Sequence, residues 1–521
     1  MSAETPETPT GSPRLSVLVP VAAGSAEGGL AIVESLLKQD FDDWELIVVG
    51  PDEVAVPEAL ANRTMLVRLD RGCTLAEALG AGMAKASGEF LTILGADSIL
   101  DPTALGAVCA EMDAQTDVVY SDEVIAGAEF KKPDFSAERL RSQFYLGSLA
   151  AYRTSALRAI GGVRPGFDGA EEYDLALRAT RAARKVAHLD STLVESGTRP
   201  IAHGWGTPES AAMEATRRVI DDHLRATGGG VVEQVRRSGV HRTRRNVEGN
   251  PLVSIVIPTR GDRATIGGVD RCMVVEAVRG IVERSSYTNV EFVVVIDDVA
   301  PADVREALRR VAGERLTLVE WSRPFNFSEK VNLGVLRSRG DYVVLLNDDV
   351  DVISESWIEP MLALAQRPRA GLVGAMLYFE DDTIQHAGHA YYRLDVTHIG
   401  LNSERGAAGP WGAFLLEREV AGVTCACALV RRDVFIEAGG LSTLLPGNFN
   451  DVDLCMKLAT LGYQSYWTPF AELYHFESKS RDSRVARSEI DVAWGRWESH
   501  FWRSPFWPTD PHQRFAREAS E

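Results

Sequence analysis

Basic residues are in short supply in this 521-residue chain. It carries 55 Lys and Arg against 74 Asp and Glu, a formal net charge of −19. Nucleic-acid binding needs a basic face to displace counterions, so this balance argues against a nucleic-acid partner. It argues equally against broad attachment to anionic lipid and leaves room only for a local basic patch. Long apolar runs are missing: none approaches the roughly 18 to 20 residues that span a bilayer. Residues 1–13 have neither the basic start nor the apolar core of a secretory signal, and read as a polar, Pro-rich, disordered leader. Cysteine is sparse: Cys73, Cys109, Cys272, Cys425, Cys427 and Cys455. Only Cys425 and Cys427 are close, and their spacing fits neither a zinc site nor a disulfide framework. They read as small buried thiols in a reducing cytoplasm. No G-x-G-x-x-G follows an opening strand, which argues against a dinucleotide fingerprint.

The chain does contain a repetition. Leu15-Ser-Val-Leu-Val-Pro20 returns as Val253-Ser-Ile-Val-Ile-Pro258, and Trp44-Glu-Leu-Ile-Val-Val49 as Val290-Glu-Phe-Val-Val-Val295. Ala86-Ser-Gly-Glu-Phe-Leu-Thr-Ile-Leu-Gly-Ala-Asp97 returns as a segment ending in Asn347-Asp-Asp349. Gly166-Phe-Asp-Gly-Ala-Glu-Glu-Tyr-Asp174 returns around Asn450-Asp-Val-Asp453. The copies keep their order roughly 240 to 280 residues apart, so a domain has been duplicated. The length suits two or three domains.

Each copy opens strand, helix, strand. Strands are expected at residues 15–21, 45–49 and 90–94, and again at 253–258, 291–296 and 342–346. Helices are expected between them at 30–39 and 273–284. This alternation predicts an α/β fold with mostly parallel sheets covered on both faces. Residues 14–200 form the first expected domain, 201–250 a connector with a helix at 208–225, and 251–480 the second domain. The tail, 481–521, carries Trp494, Trp497, Phe501, Trp502, Phe506 and Trp507. It reads either as a membrane-surface segment or as a helix packing its aromatic face on the preceding domain.

Ligands of open α/β sheets bind beyond the C-terminal ends of the strands. Three strands of the second copy deliver polar groups there: Pro258-Thr-Arg260, Asp297-Asp298 and Asn347-Asp-Asp349. Carboxylates held together need compensation. An oxygen-only Asn347-Asp348-Asp349 turn suits Mg²⁺ or Mn²⁺.

These segments, with Asn450-Asp-Val-Asp453 and Leu473-Tyr-His475, occur in an order that resembles the family 2 glycosyltransferases of GT-A fold. The likeness is closest to tandem bacterial enzymes of O-antigen and cell-surface polysaccharide assembly. Phe325-Asn-Phe-Ser328, Asn332-Leu-Gly334, Gln385-His-Ala-Gly388 and Val423-Thr-Cys-Ala-Cys427 are similar to further blocks of that group. The resemblance implies two tandem GT-A domains and an inverting, metal-dependent transfer of a sugar from a nucleoside diphosphate to a hydroxyl. It implies a dTDP- or UDP-sugar donor and a glycan or lipid-linked acceptor. The expected location is the cytoplasm, with peripheral contact at the inner face of the plasma membrane left open. Asp349 is then the main metal ligand, with Asn347 and His475 beside it. Pro258, Thr259, Arg260, Asp297, Asn332 and Asp348 are placed at the donor, and Asp451 is the catalytic base. His386, Asn450 and Asp453 fall on the acceptor side. His386 and His389 read equally as polar packing, and Asp453 reads rather as a helix cap.

The first copy keeps the scaffold and loses these groups. Gly50-Pro51 stands for Asp297, Gly95-Ala-Asp97 for Asn347-Asp-Asp349, and Glu172 for the base. One carboxylate is a thin site for a hard cation. The first copy is therefore expected to be degenerate, packing on the second or binding the acceptor glycan. The alternatives are a bifunctional enzyme and a non-catalytic glycan-binding scaffold.

Overall fold

A computed structural model describes residues 13–24, 30–197, 208–236, 238–266, 268–476 and 485–517. Of the expected leader only Pro13 falls among them. The chain divides into two compact units, Met1–Thr243 and Arg244–Glu521.

In the second unit the apolar runs Val253–Thr259, Val290–Asp297 and Tyr342–Leu346 become adjacent strands. Their residues are almost all buried, as a sheet covered on both faces requires. The sheet order is Leu316–Trp321, Val290–Asp297, Val253–Thr259, Tyr342–Leu346, Cys427–Arg431, Ala370–Tyr378, Gln464–His475 and Val350–Val352. The first three pairings are parallel. Cys427–Arg431 is antiparallel to both of its neighbours.

The first unit repeats this order strand for strand. It runs Thr64–Arg68, Trp44–Gly50, Leu15–Pro20, Phe90–Ile93, Ala150–Arg153, Thr116–Ile125, Lys185–Ser196 and Ile99–Leu100. Register agrees as well: Pro20 faces Val49, and Pro258 faces Val295. The helix expected within the connector is Glu209–Ala226, and its Ala215, Val219, Ile220 and Leu224 are buried.

One polar latch recurs in both units, buried in the second and half-buried in the first. Ser254 Oγ donates to Glu291 Oε1 at 2.6 Å, Arg339 N donates to the same oxygen at 2.7 Å, and Gly340 N donates to Ser254 Oγ at 2.9 Å. In the first unit Ser16 donates to Glu45 at 2.6 Å, Ser87 N to Glu45 at 2.7 Å, and Gly88 N to Ser16 at 2.9 Å. The latch closes the turn into the strand that ends at the site. Only glycine fits there: a Cβ on Gly340 would lie 2.5 Å from the Leu252 carbonyl oxygen.

The aromatic tail is packed. The helix Arg487–Trp497 sets Trp494 edge-on to Phe449 and Phe501, at centroid distances of 5.2 and 5.1 Å. Trp507 stacks on Phe414 at 5.7 Å. Trp502 alone of these stays 58% exposed. Among the described residues no helix is long and apolar enough to cross a membrane.

Glu291→Ala strands the Ser254 and Arg339 donors. The expected loss is about 1–3 kcal/mol, read by denaturant unfolding. A change below about 0.5 kcal/mol, the range of ordinary surface substitutions, contradicts the latch.

Candidate active site

Parallel strands that end side by side bring their following residues together. Thr259 Oγ1 donates to Asp348 Oδ2 at 2.6 Å and accepts Gly261 N–H at 2.9 Å. Lys330, on the helix Phe327–Arg337, is fully buried. Its Nζ donates to the Thr259 carbonyl and to Asp297 Oδ1, both at 2.6 Å. Burial pushes the Lys330 pKa down, and the Asp297 carboxylate opposes this. Burial, and next the charge of Asp349, hold the Asp348 carboxyl well above the usual range.

Behind this layer lies His475. Val350 pairs with His475 across antiparallel strands, which sets the imidazole against Asp349: Nε2 lies 3.2 Å from Asp349 Oδ1. Asn347 Nδ2 is 3.0 Å from the same Nε2. Gln385 Oε1 lies 2.7 Å from His475 Nδ1. A carboxamide oxygen only accepts, so Nδ1 carries the proton and Nε2 presents its lone pair toward Asn347 and Asp349. Asn347 Oδ1 is buried and accepts no hydrogen bond among the described residues. A carboxylate, an orphaned amide oxygen and an imidazole lone pair oriented from behind thus sit in one cluster. That donor set fits a divalent cation.

Asp451 comes from the helix Asn450–Thr460, which begins three residues before Asp453. One carboxylate oxygen accepts Val452 N–H at 2.8 Å, and the other lies 3.8 Å from His389 Nε2. Asp451 and Asn450 share one cavity of about 580 Å³ with Pro258, Thr259, Arg260, Lys330, Asn347, Asp348, Asp349 and His475.

Several expected residues stand apart from this cavity. Asp297 is tied to Lys330, and it is Lys330 that faces the space. Asn332 bridges the backbone of Leu441, receiving its N–H at 2.9 Å and donating to its carbonyl at 2.8 Å. With Ser328, which donates to the Leu445 carbonyl at 2.6 Å, it anchors the loop leading to Asp451. Asp453 is fully buried and binds Arg496 Nη1 at 2.8 Å and Trp497 Nε1 at 2.9 Å. His386 is fully buried, while His389 and His398 reach the cavity.

These three imidazoles bring nitrogen atoms within 4.8 Å of one another. They do not suit a metal as arranged. The Thr424 N–H donates to His386 Nε2 at 3.2 Å, which puts the His386 proton on Nδ1, facing His398 Nδ1 at 3.1 Å. A cation on His386 Nδ1 would have to displace that proton. Burial keeps His386 and His389 well below the ordinary imidazole range, so both stay neutral.

Sequence reasoning missed the roles of Lys330 and Gln385. A lysine on a helix ordinarily reads as solvated, and nothing near Gln385 in the chain marks a partner 90 residues away.

The first unit keeps Asp97 at the place of Asp349 and lacks the partners around it. Gly82 and Gly334 approach equivalent strand residues, Leu18 at 2.2 Å and Val256 at 2.4 Å from a Cβ built on each. That match puts Ala78 at the place of Lys330. Strand register puts Val21 at Thr259 and Pro51 at Asp297, and the turn puts Ala96 at Asp348. Glu172, at the place of Asp451, lines a void of only about 10 Å³.

The fold is a GT-A glycosyltransferase architecture built twice. The signature of glycosyl transferase family 2 matches residues 16–160 and 254–439, and the chain belongs to that family. It is 34% identical over 529 residues to the uncharacterized protein y4gI of Sinorhizobium fredii, covering 95% of this chain and 57% of that one. It is 29% identical over 499 residues to the O-antigen biosynthesis protein RfbC of Myxococcus xanthus, covering 90% of this chain and 38% of that one. A third likeness is to the N-acetylglucosaminyl-diphospho-decaprenol L-rhamnosyltransferase of Mycobacterium tuberculosis, 29% identical over 151 residues, covering 27% of this chain and 48% of that one. The chain thus spans little more than half, or less, of the curated relatives it matches.

Lys330→Met leaves Asp297 and the Thr259 carbonyl without their buried donor. The expected cost is about 3 kcal/mol. Unchanged stability in denaturant contradicts the assigned contact.

Proposed function

We propose that the second unit transfers a sugar from a dTDP- or UDP-linked donor to a hydroxyl of a surface polysaccharide or lipid-linked glycan, with inversion. The observation that carries this reading is one cavity holding both the Asp349–Asn347–His475 cluster and the Asp451 carboxylate. Its volume, about 580 Å³, suits a ligand of nucleotide-sugar size. The likeness to an O-antigen protein and to a rhamnosyltransferase supports the substrate class.

Asp349, Asn347 and His475 would hold Mg²⁺ or Mn²⁺, which offsets the charge of the diphosphate leaving group. The other residues act directly. Thr259 fixes Asp348, Lys330 holds the Thr259 carbonyl and Asp297, and Arg260 lies at the donor end. Asp451 accepts the proton of the acceptor hydroxyl as that oxygen bonds to the anomeric carbon and the bond to the diphosphate breaks. A single displacement inverts that carbon. His389, neutral beside Asp451, gives the base an uncharged wall.

In this reading the first unit is non-catalytic. The protein works at the cytoplasmic face of the membrane, where its six free thiols stay reduced.

Asp451→Asn should lower the transfer kcat about 10²- to 10⁴-fold while nucleotide-sugar binding in Mn²⁺ is kept. Removal of divalent cation with EDTA should abolish turnover reversibly. Asp97→Ala should leave transfer unchanged. Selective loss of one of two linkages in Asp97→Ala would instead show two active units, and full activity of Asp451→Asn would remove the base assignment.

A further inference from the structure

The helix Arg487–Trp497 lies beyond the residues matched by the family signature, yet it touches the loop that presents Asp451 at three places. Glu489 is buried, 3% exposed. Its Oε1 accepts the backbone N–H of Gly447 at 2.8 Å and of Asn448 at 2.7 Å, and its Oε2 accepts the Asn448 side-chain amide at 2.9 Å. Burial pushes this carboxyl up, but the Asn448 and Gly447 donors outweigh burial and hold it below the usual Glu range. It is therefore a charged acceptor at neutral pH, and such hydrogen bonds are the strong ones.

The next residue, Phe449, has φ 57° and ψ 6°. A bulky side chain rarely adopts this left-handed conformation, and it persists only where its surroundings impose it. Trp494, one turn and a half along the same helix, packs edge-on to the Phe449 ring at 5.2 Å. Arg496 and Trp497 hold Asp453 from the other end. Asp451 lies between these fastenings, two residues after Phe449 and two before Asp453. Glu489 itself lines the cavity.

We infer that the C-terminal helix completes the acceptor side of the site, and that Glu489 is a positioning residue that sets the direction of the Asp451 carboxylate. The inference rests on the proposed role of Asp451. Glu489 touches no reacting atom. It fixes two backbone N–H groups in front of a strained residue, and the strain turns the first helical turn so that Asp451 faces the cavity. Loss of the helix would leave the donor end, built from residues 258–260 and 347–349, intact. A misplacement near 1 Å at a reacting group costs about 100-fold in rate.

The test compares Glu489→Ala, Glu489→Gln and Arg487→Ala in the full chain. Among the described residues Arg487 pairs only with Asp491, on the outer face of the helix, at 2.9 Å. Three quantities are read: transfer kcat and KM for the donor, Mn²⁺-dependent binding of nucleoside diphosphate, and amide hydrogen exchange of a peptide covering residues 446–452. Glu489→Ala should lower kcat about 100-fold with donor KM and nucleotide binding within about twofold of the parent. It should also speed exchange at 446–452. Glu489→Gln keeps one acceptor oxygen, now uncharged, and should lose about tenfold in kcat. Arg487→Ala should behave as the parent. Equal losses of kcat, nucleotide binding and thermal stability in both Glu489 variants would show a merely structural residue and overturn the inference. So would unchanged exchange in Glu489→Ala. If the parent chain turns over no donor, the functional reading fails, and the exchange result still decides whether the helix sets the loop.

Discussion

Two carboxylates on adjacent residues, Asp348 and Asp349, are held at the end of one buried strand, and the architecture of the second unit answers their repulsion. Like charges brought together out of water are costly unless each finds a counter-group. The solution is divided. Asp348 takes the Thr259 hydroxyl, with Lys330 nearby as a buried cation shared between the Thr259 backbone and Asp297. Asp349 faces the Nε2 lone pair of His475, whose tautomer is set by Gln385, and that lone pair offsets none of its charge. Each partner arrives from a different element, so the sheet order is what allows the site to exist. A cation on the Asp349 side would complete the balance.

The first unit shows the same constraint by its removal. Thr259 and Asp348 correspond to Val21 and Ala96, and Asp297 and Lys330 correspond to Pro51 and Ala78. Interacting partners are replaced together. Losing Lys330 alone would strand a carboxylate, whereas replacing both members with small apolar groups leaves nothing unsatisfied. The framework is untouched: strand order, the Ser–Glu–Gly latch and the helix glycine at the strand are all present in both units. Asp174 and Arg178 even repeat the spacing of Asp453 and Lys457. These replacements cluster where a ligand would sit.

Much of this was legible in the chain. The apolar runs 253–258 and 342–346 lie within a residue of the strands found, because continuous β-branched sequence has few other uses in a covered sheet. Asn347, Asp348 and Asp349 were legible because the rule about strand ends needs no knowledge of distant contacts. Asp451 and His475 were found through likeness and not from local pattern. Lys330, Gln385 and Glu489 were not legible. Each is a polar residue whose meaning lies in a partner 33 to 90 residues away in sequence. Asn332 and Asp453 illustrate the converse: both sit in motif positions, yet both fasten loops and face away from the cavity.

The proposed function requires that one unit alone carry a metal-dependent donor site, centred on Asp349. Electron paramagnetic resonance of Mn²⁺ titrated with a nucleoside diphosphate tests it directly. One bound Mn²⁺ per chain is expected, lost in Asp349→Ala and retained in Asp97→Ala. Two equivalent sites, or a site that survives Asp349→Ala, would contradict it.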